Sequence, residues 1–184
     1  CGGDAVVGSV TPVIAVLDQV IGVDAAMIAS VGDGCYASKS IRANRLGESD
    51  LVAATADYGR VLQAILPEIS SAVGGLSICR RGYGNVGLST VSLLLHEMSS
   101  ASKVNDILAH AAREPLYNGI LSVTDGELVA EDFRGNSYSA TVDAGLTTLV
   151  GGRLVQVSTW YDGEWASANR LVELAVETGR YIRH

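Results

Sequence analysis

No run of apolar residues in the 184-residue sequence is long enough to span a bilayer, and no basic tail is present. The first absence removes a helical membrane anchor from the reading. The second, with a net charge of -7 and a pI near 4.8, speaks against nucleic acid or an anionic membrane as partner. Cysteine is scarce. Cys1, Cys35 and Cys79 match no zinc-ligand spacing, and an odd number leaves no complete disulfide framework. No metal is therefore expected, and a reducing cytoplasm fits best. The sequence lacks G-x-G-x-x-G, the glycine signature of a dinucleotide-binding turn, so no cofactor is expected either. Internal repeats and linkers are also missing, which predicts one domain over residues 1–184 with no nucleotide-binding domain. The first residue is not Met. A Cys-Gly-Gly start implies a trimmed or unplaced upstream segment, and a mature lipoprotein would also begin this way.

What is present is a globular pattern: 48% hydrophobic and 18% charged residues. Val10, Val13, Ile14, Leu17, Val20 and Ile21 recur at helical spacing, and Gly22 ends that helix. Ala25 to Val31 reads as a short buried strand, and Gly32 to Gly47 as a long polar loop. Leu51, Ala54, Tyr58, Leu62 and Ile65 predict a second helix over Glu48 to Ile65, ended by Pro67. Leu76 to Arg81 and Val86 to Leu95 read as strands. Ser102 is the expected cap of a third helix with Val104, Ile107, Leu108 and Ala111 inward. Ile120 to Val123, Ser137 to Val142, Thr147 to Val150 and Arg153 to Tyr161 read as further strands. In the last of these Val155, Val157, Thr159 and Tyr161 share one face. Asp162 is placed to cap a final helix, Glu164 to Tyr181, along which Trp165, Ala168, Leu171, Val172 and Ala175 recur. The fold class is α+β: a mixed, largely antiparallel sheet with helices on one face.

Several stretches carry a resemblance. WYDGEWASANRLVEL is close to WYDNEWGYSNRVVDL, and EDFRGNSYSATVDAGLT to SSDFRGDPHSSIFDAGLT. REPLYNGIL is similar to EGPLKGIL, VLQAILPEI to a helix ending in VLPEL, SICRRGYGNVGLSTV to ALRVPTPNVSVVDL, and TPVIAVLDQVIGV to APLAKVLHDNFGI. These patterns belong to the catalytic, C-terminal domain of glyceraldehyde-3-phosphate dehydrogenase, and the matches run collinearly over nearly the whole chain. The resemblance implies the fold of that domain. It does not extend to a nucleotide-binding half.

The same register, carried through Pro12 without a gap, implies what stands at the family's functional positions. Ala5 falls on the nucleophilic cysteine of SCTTNC and Gly8 on its asparagine. A shifted alignment with an insertion would instead set Cys1 on the cysteine and Asp4 on the asparagine. Gly32 falls on the histidine base of TTVH, and none of His96, His110 or His184 lies near it in sequence. Ala56-Asp57 falls on the phosphate-binding Thr-Gly, where a carboxylate would repel phosphate. Gly163 replaces the asparagine that orients nicotinamide, and Arg80 retains the arginine of LRVPTPN. The resemblance thus implies a scaffold kept without its dehydrogenase chemistry.

New polar groups flank the region where that chemistry sat: Asp4, Asp33, Cys35, Tyr36, Arg80, Arg81 and Tyr83, with Asp57 and Tyr58 nearby. Asp4 and Asp33 are either acid/base groups or solvated loop carboxylates. Cys35 with Tyr36 is either a nucleophile and its proton donor or an inert pair, since no His adjoins them. Arg80 either binds an anionic or enolic oxygen or pairs with a surface carboxylate. Arg134, His96, Trp160 and Tyr161 read as structural. The catalytic candidates are therefore Asp4, Asp33, Arg80, Tyr36 and Cys35. They suggest a cofactor-independent isomerase, lyase or cyclase acting on a small organic molecule, or else a pseudoenzyme serving as a binding scaffold. In the family the last helix packs on the nucleotide-binding domain and the catalytic-domain sheets form a tetramer. A homo-oligomer, dimer or tetramer, is accordingly expected here.

Overall fold

A computed structural model describes residues 2–32, 51–69, 72–80 and 85–182. The long loop expected over residues 32–47 lies, apart from Gly32, outside the described residues, as do Asp33, Cys35, Tyr36, Arg81 and Tyr83.

The chain opens with α1 (Gly2–Val20) and turns at Gly22, whose φ of +83° is readily adopted only by glycine. It enters β1 (Val23–Gly32) and, after residues 33–50, β2 (Leu51–Thr55) and the short α2 (Tyr58–Leu62). β3 (Val73–Arg80), β4 (Val86–Leu95) and α3 (Ala101–Ala111) follow. Then come β5 (Leu121–Thr124), a 3-10 turn (Ala130–Phe133), β6 (Ala140–Val150), β7 (Leu154–Asp162) and α4 (Gly163–Ile182).

The strands form one seven-stranded sheet in the order β2-β3-β1-β4-β7-β6-β5. β1/β3 and β5/β6 are parallel pairs, and the other four pairs are antiparallel, so the α+β mixed sheet read from the sequence is the one observed. α1 lies across the middle of one face. Its Val6, Val10, Val13, Ile14 and Leu17 are buried against Ile28, Val91, Leu93, Val155 and Val157 of the central strands. Val104, Leu108 and Ala111 bring α3 onto the same core. Period-two alternation in β1, β4 and β7 sends one set of side chains to the helices and the other to the opposite face. On that second face Met27, Val31, Leu76, Leu94 and Leu154 are exposed.

Three elements differ from the sequence reading. The predicted helix over Glu48 to Ile65 is instead a strand and one short helix. Leu51-Val52-Ala53-Ala54-Thr55 pairs with β3, from Leu51 opposite Arg80 to Thr55 opposite Leu76, and backbone pairing there overrides helical spacing. Asp57 starts the short helix, its Oδ1 accepting from the Arg60 N–H at 3.2 Å. The third helix is capped by Ser100, not Ser102: Ser100 Oγ accepts from the Lys103 N–H at 3.2 Å. The two strands expected over 137–142 and 147–150 are a single strand, β6, whose register to β7 shifts between Asp143 and Thr148.

Candidate functional site

The site is set by what the strands place side by side at one end of the sheet. In register, Gly32 ends β1 opposite Cys79 of β3, and Arg80 follows as the last residue of that strand. Gly87 of β4 faces Tyr161 of β7. One step toward the core, Ser77, Ser30, Ser89 and Thr159 stand next to one another across β3, β1, β4 and β7. One step further the row is apolar, with Ile28, Val91 and Val157. The helix-facing side of the sheet therefore passes from a hydrocarbon core through a row of hydroxyls to glycines.

Two phenols close over these rows. Tyr58, first in α2, is 1% exposed and shares a hydrogen bond of 2.8 Å with Ser30 Oγ, which in turn reaches Ser77 Oγ at 3.5 Å. Its ring lies where a side chain at Gly75 would stand, so only glycine admits it. Burial pushes the Tyr58 phenol up, against the opposing pull of Ser30 and Ser77. Tyr161 lies over Gly87 in the volume a Cβ there would need, and its hydroxyl is 3.4 Å from the Cβ position of residue 32. Burial pushes the Tyr161 phenol up to about 12; the Ser89 hydroxyl works the other way and the Tyr58 phenol adds to the rise. Both tyrosines stay neutral near pH 7 and can act there as hydrogen-bond donors.

A cleft of about 340 Å³ opens between α1 and α4, lined by Ala5, Gly8, Ser139, Tyr161, Arg170 and Leu174 among others. Asp162, the last residue of β7, fixes the start of α4. Its Oδ1 accepts from the N–H of Glu164 and Trp165 at 3.2 and 3.0 Å, and its Oδ2 from Gly135 N–H at 2.8 Å. The expected cap is thus present, and it places Gly163 against Ala5: a Cβ at 163 would stand 3.2 Å from the Ala5 Cβ. Arg170 donates from Nη1 to the Gly119 carbonyl at 2.7 Å and from Nη2 to Glu173 Oε1 at 2.6 Å, while its buried Nε has no partner among the described residues. The cleft wall is mostly apolar, with a few hydrogen-bond donors.

Residues 7–163, from within α1 to the first residue of α4, match the family model for the C-terminal domain of glyceraldehyde 3-phosphate dehydrogenase. The chain belongs to the glyceraldehyde-3-phosphate dehydrogenase family. It is 32% identical over 182 residues to glyceraldehyde-3-phosphate dehydrogenase 2 of Bacillus subtilis, covering 94% of this chain and 52% of that protein. Against glyceraldehyde-3-phosphate dehydrogenase 2 of Synechocystis sp. it is 34% identical over 137 residues, 74% of this chain and 40% of the relative. Against the Zymomonas mobilis dehydrogenase it is 28% identical over 178 residues, 93% of this chain and 52% of the relative. The chain spans about half the length of these curated relatives.

Within this family fold the sequence-derived candidates fall as follows. Asp4 lies in α1, one residue before Ala5, and Arg80 ends β3 at the same end of the sheet as Gly32. Asp33, Cys35 and Tyr36 lie outside the described residues. Asp57 is spent on the α2 cap. His96 is exposed with Nε2 2.8 Å from Asp24 Oδ1, and Arg134 is exposed and pairs with Glu131 at 3.1 Å; both read as structural. Trp160 stacks on Phe133 with ring centroids 5.2 Å apart and donates to Asp143 Oδ2 at 3.1 Å. The sequence reading missed the buried hydroxyls, Ser139 and Arg170. A signal existed for the hydroxyls: Ile28-x-Ser30, Ser89-x-Val91 and Val157-x-Thr159 each set a hydroxyl in the same period-two file as a core aliphatic.

Proposed function

We propose that this chain does not run the thiol chemistry of its family. We infer that it uses the catalytic-domain scaffold as a non-redox enzyme of isomerase, lyase or cyclase type on a small organic molecule. One observation carries this reading. Ala5, on the register of the nucleophile, forms the cleft wall against Gly163, and Gly32, on the register of the base, offers no side chain beside the Tyr161 phenol. A methyl group and a hydrogen can neither attack a carbonyl nor take up a proton.

Nicotinamide fits this arrangement poorly. The family's anchoring amide would arise from residue 163, where even a Cβ meets Ala5 at 3.2 Å. What the chain's own groups offer is hydrogen-bond donation and charge. Tyr161 is a neutral donor in a dry wall, and Arg170 is a fixed cation at the cleft. Arg80 and Asp4 lie on the flanking elements as oxyanion partner and acid/base group, with Asp33, Cys35 and Tyr36 as further candidates. Donors of this kind stabilise negative charge that develops on a ligand oxygen.

The test uses the full-length protein. With glyceraldehyde 3-phosphate, phosphate and NAD, no NADH absorbance is expected; sustained NADH formation blocked by iodoacetamide overturns the reading. In deuterated buffer, proton NMR of a panel of small carbonyl compounds is expected to show exchange at the carbon next to the carbonyl for at least one of them. Arg80→Ala and Asp4→Asn are each expected to slow that exchange by roughly 10²–10⁴-fold.

A second reading, an oligomeric binding scaffold, draws support from the exposed apolar sheet face around Met27, Leu76 and Leu154. The two readings are compatible if the scaffold face lies opposite the cleft, as the alternation of β1 and β7 supports.

A further inference from the structure

In α1 there is a glycine that neither backbone nor packing requires. Gly8 stands in the interior of the helix, a setting in which glycine is the least favourable residue after proline. Its φ is not positive, and a Cβ at this position would meet no atom within 4 Å. The open space beside it is the cleft of about 340 Å³ between α1 and α4, which Gly8 lines. That cleft is sorted by polarity. Ala5 and Gly8 of α1 and Leu171 and Leu174 of α4 form apolar walls, and the two leucines are 68% and 64% exposed, so hydrocarbon surface there stands uncovered. Polar groups gather toward the start of β5 and β6. Arg170 reaches the Gly119 carbonyl at 2.7 Å, and the Ala140 N–H donates to the Ile120 carbonyl at 3.0 Å, which brings Ser139 beside the same turn. Glu173 Oε1, 2.6 Å from Arg170 Nη2, balances the guanidinium charge. These two contacts engage two of the five N–H donors of Arg170.

We propose that this cleft binds a compact, uncharged molecule, a hydrocarbon body carrying one carbonyl-type oxygen, and that Gly8 sets the size it admits. The volume lies at the low end of the roughly 300–1,000 Å³ of small-molecule sites, which suits a compact ligand. The body covers Ala5, Leu171 and Leu174, and the oxygen accepts from Arg170 and the Ser139 hydroxyl. A carboxylate or phosphate would meet Glu173 as well as Arg170 and gain no net charge attraction. Gly8 holds the α1 wall back, at a cost to the helix, and so leaves room for the body. The inference rests on the reading of the cleft as a substrate site; it names the substrate class and adds a residue that determines specificity.

Methyl NMR of the full-length protein, titrated with cyclohexanone and with δ-valerolactone, tests this. Saturable shifts are expected at Ala5, Leu171 and Leu174, with cyclohexanecarboxylate about tenfold weaker or more and inorganic phosphate without effect on these signals. Gly8→Leu, which fills the space, is expected to weaken binding at least about tenfold while holding or raising the melting temperature. Gly179→Leu is the control: its Cβ also meets no atom within 4 Å, it lies away from the cleft lining, and it should leave Kd unchanged. Absence of a saturable shift with both probes, a carboxylate that binds more tightly, or wild-type affinity in Gly8→Leu overturns the proposal. So does a crystal structure in which another segment of the chain or a second copy fills the cleft. Should Gly8→Leu fail to fold, the wild-type titration decides. Binding and turnover separate cleanly. A ketone bound at these residues without deuterium exchange overturns the enzyme reading and keeps this inference, whereas exchange untouched by Gly8→Leu does the reverse.

Discussion

Tyr161 shows how a single side chain ties stability to pH in this domain. Its phenol is raised by burial to about 12 in the folded chain, against 10.0 for an ordinary tyrosine. Below pH 10 the phenol is protonated whether the chain is folded or not, and the stability is at its full value. Between pH 10 and 12 the unfolded chain ionises first, so stability falls as pH rises and the loss is complete above the folded value. Two pH units at 1.36 kcal/mol each make this about 3 kcal/mol. Chemical denaturation between pH 9 and about 12 is expected to show that fall. In Tyr161→Phe it is expected to be shallower, leaving the part owed to Tyr58 and other groups. A slope unchanged in the variant would mean that the phenol is open to water.

The elements depend on their ends. Asp162 holds three backbone N–H groups, two in the first turn of α4 and one at Gly135. Asp162→Ala removes the cap and strands a donor 27 residues away in sequence, so the expected loss is about 2–3 kcal/mol by urea denaturation. Ser100→Ala, which removes one exposed cap bond to Lys103, is expected to cost about 1 kcal/mol or less in the same measurement. The Asp162 cap, α1, β1, β4 and β7 were legible in the sequence because their periodicity and stop signals agree with their tertiary setting. β2 was not. Ala54, Tyr58, Leu62 and Ile65 fall at helical spacing, yet the pairing of Leu51–Thr55 with β3 is decided by a strand 20 or more residues away. The hydroxyl row was hidden for the same reason. Ser77, Ser30 and Ser89 are unremarkable one by one and become a site only through register across three strands.

At the scale of the molecule, two apolar surfaces are exposed. One is the sheet face of Met27, Val31, Leu76, Leu94 and Leu154; the other is on α4, with Trp165 and Val172 exposed beside Leu171 and Leu174, which also line the cleft toward α1. Ala166 of the same helix is buried, and Arg170 reaches the Gly119 carbonyl. The homo-oligomer remains a proposal, and the sheet face is the surface on which it is placed. Light scattering of the full-length protein at micromolar concentration is expected to give a dimer or tetramer. Met27→Asp with Leu76→Asp should shift it to monomer without loss of circular dichroism. A monomeric wild type would remove the proposal. Among the described residues no helix is long and apolar enough to cross a membrane.

The glycines around Tyr161 also bear on evolutionary reversibility. At residue 32 a new Cβ would meet its neighbours at 3.4 and 3.5 Å, ordinary contact distances, so a side chain can return there by one substitution. At residue 163 the Ala5 methyl crowds the same change at 3.2 Å, and at residue 87 the Tyr161 phenol already fills the space. Steps toward a larger side chain are therefore open at one position and obstructed at two. A lineage carrying these glycines meets an asymmetric barrier: residue 32 accepts a side chain first, whereas residues 163 and 87 wait on prior movement of Ala5 or Tyr161.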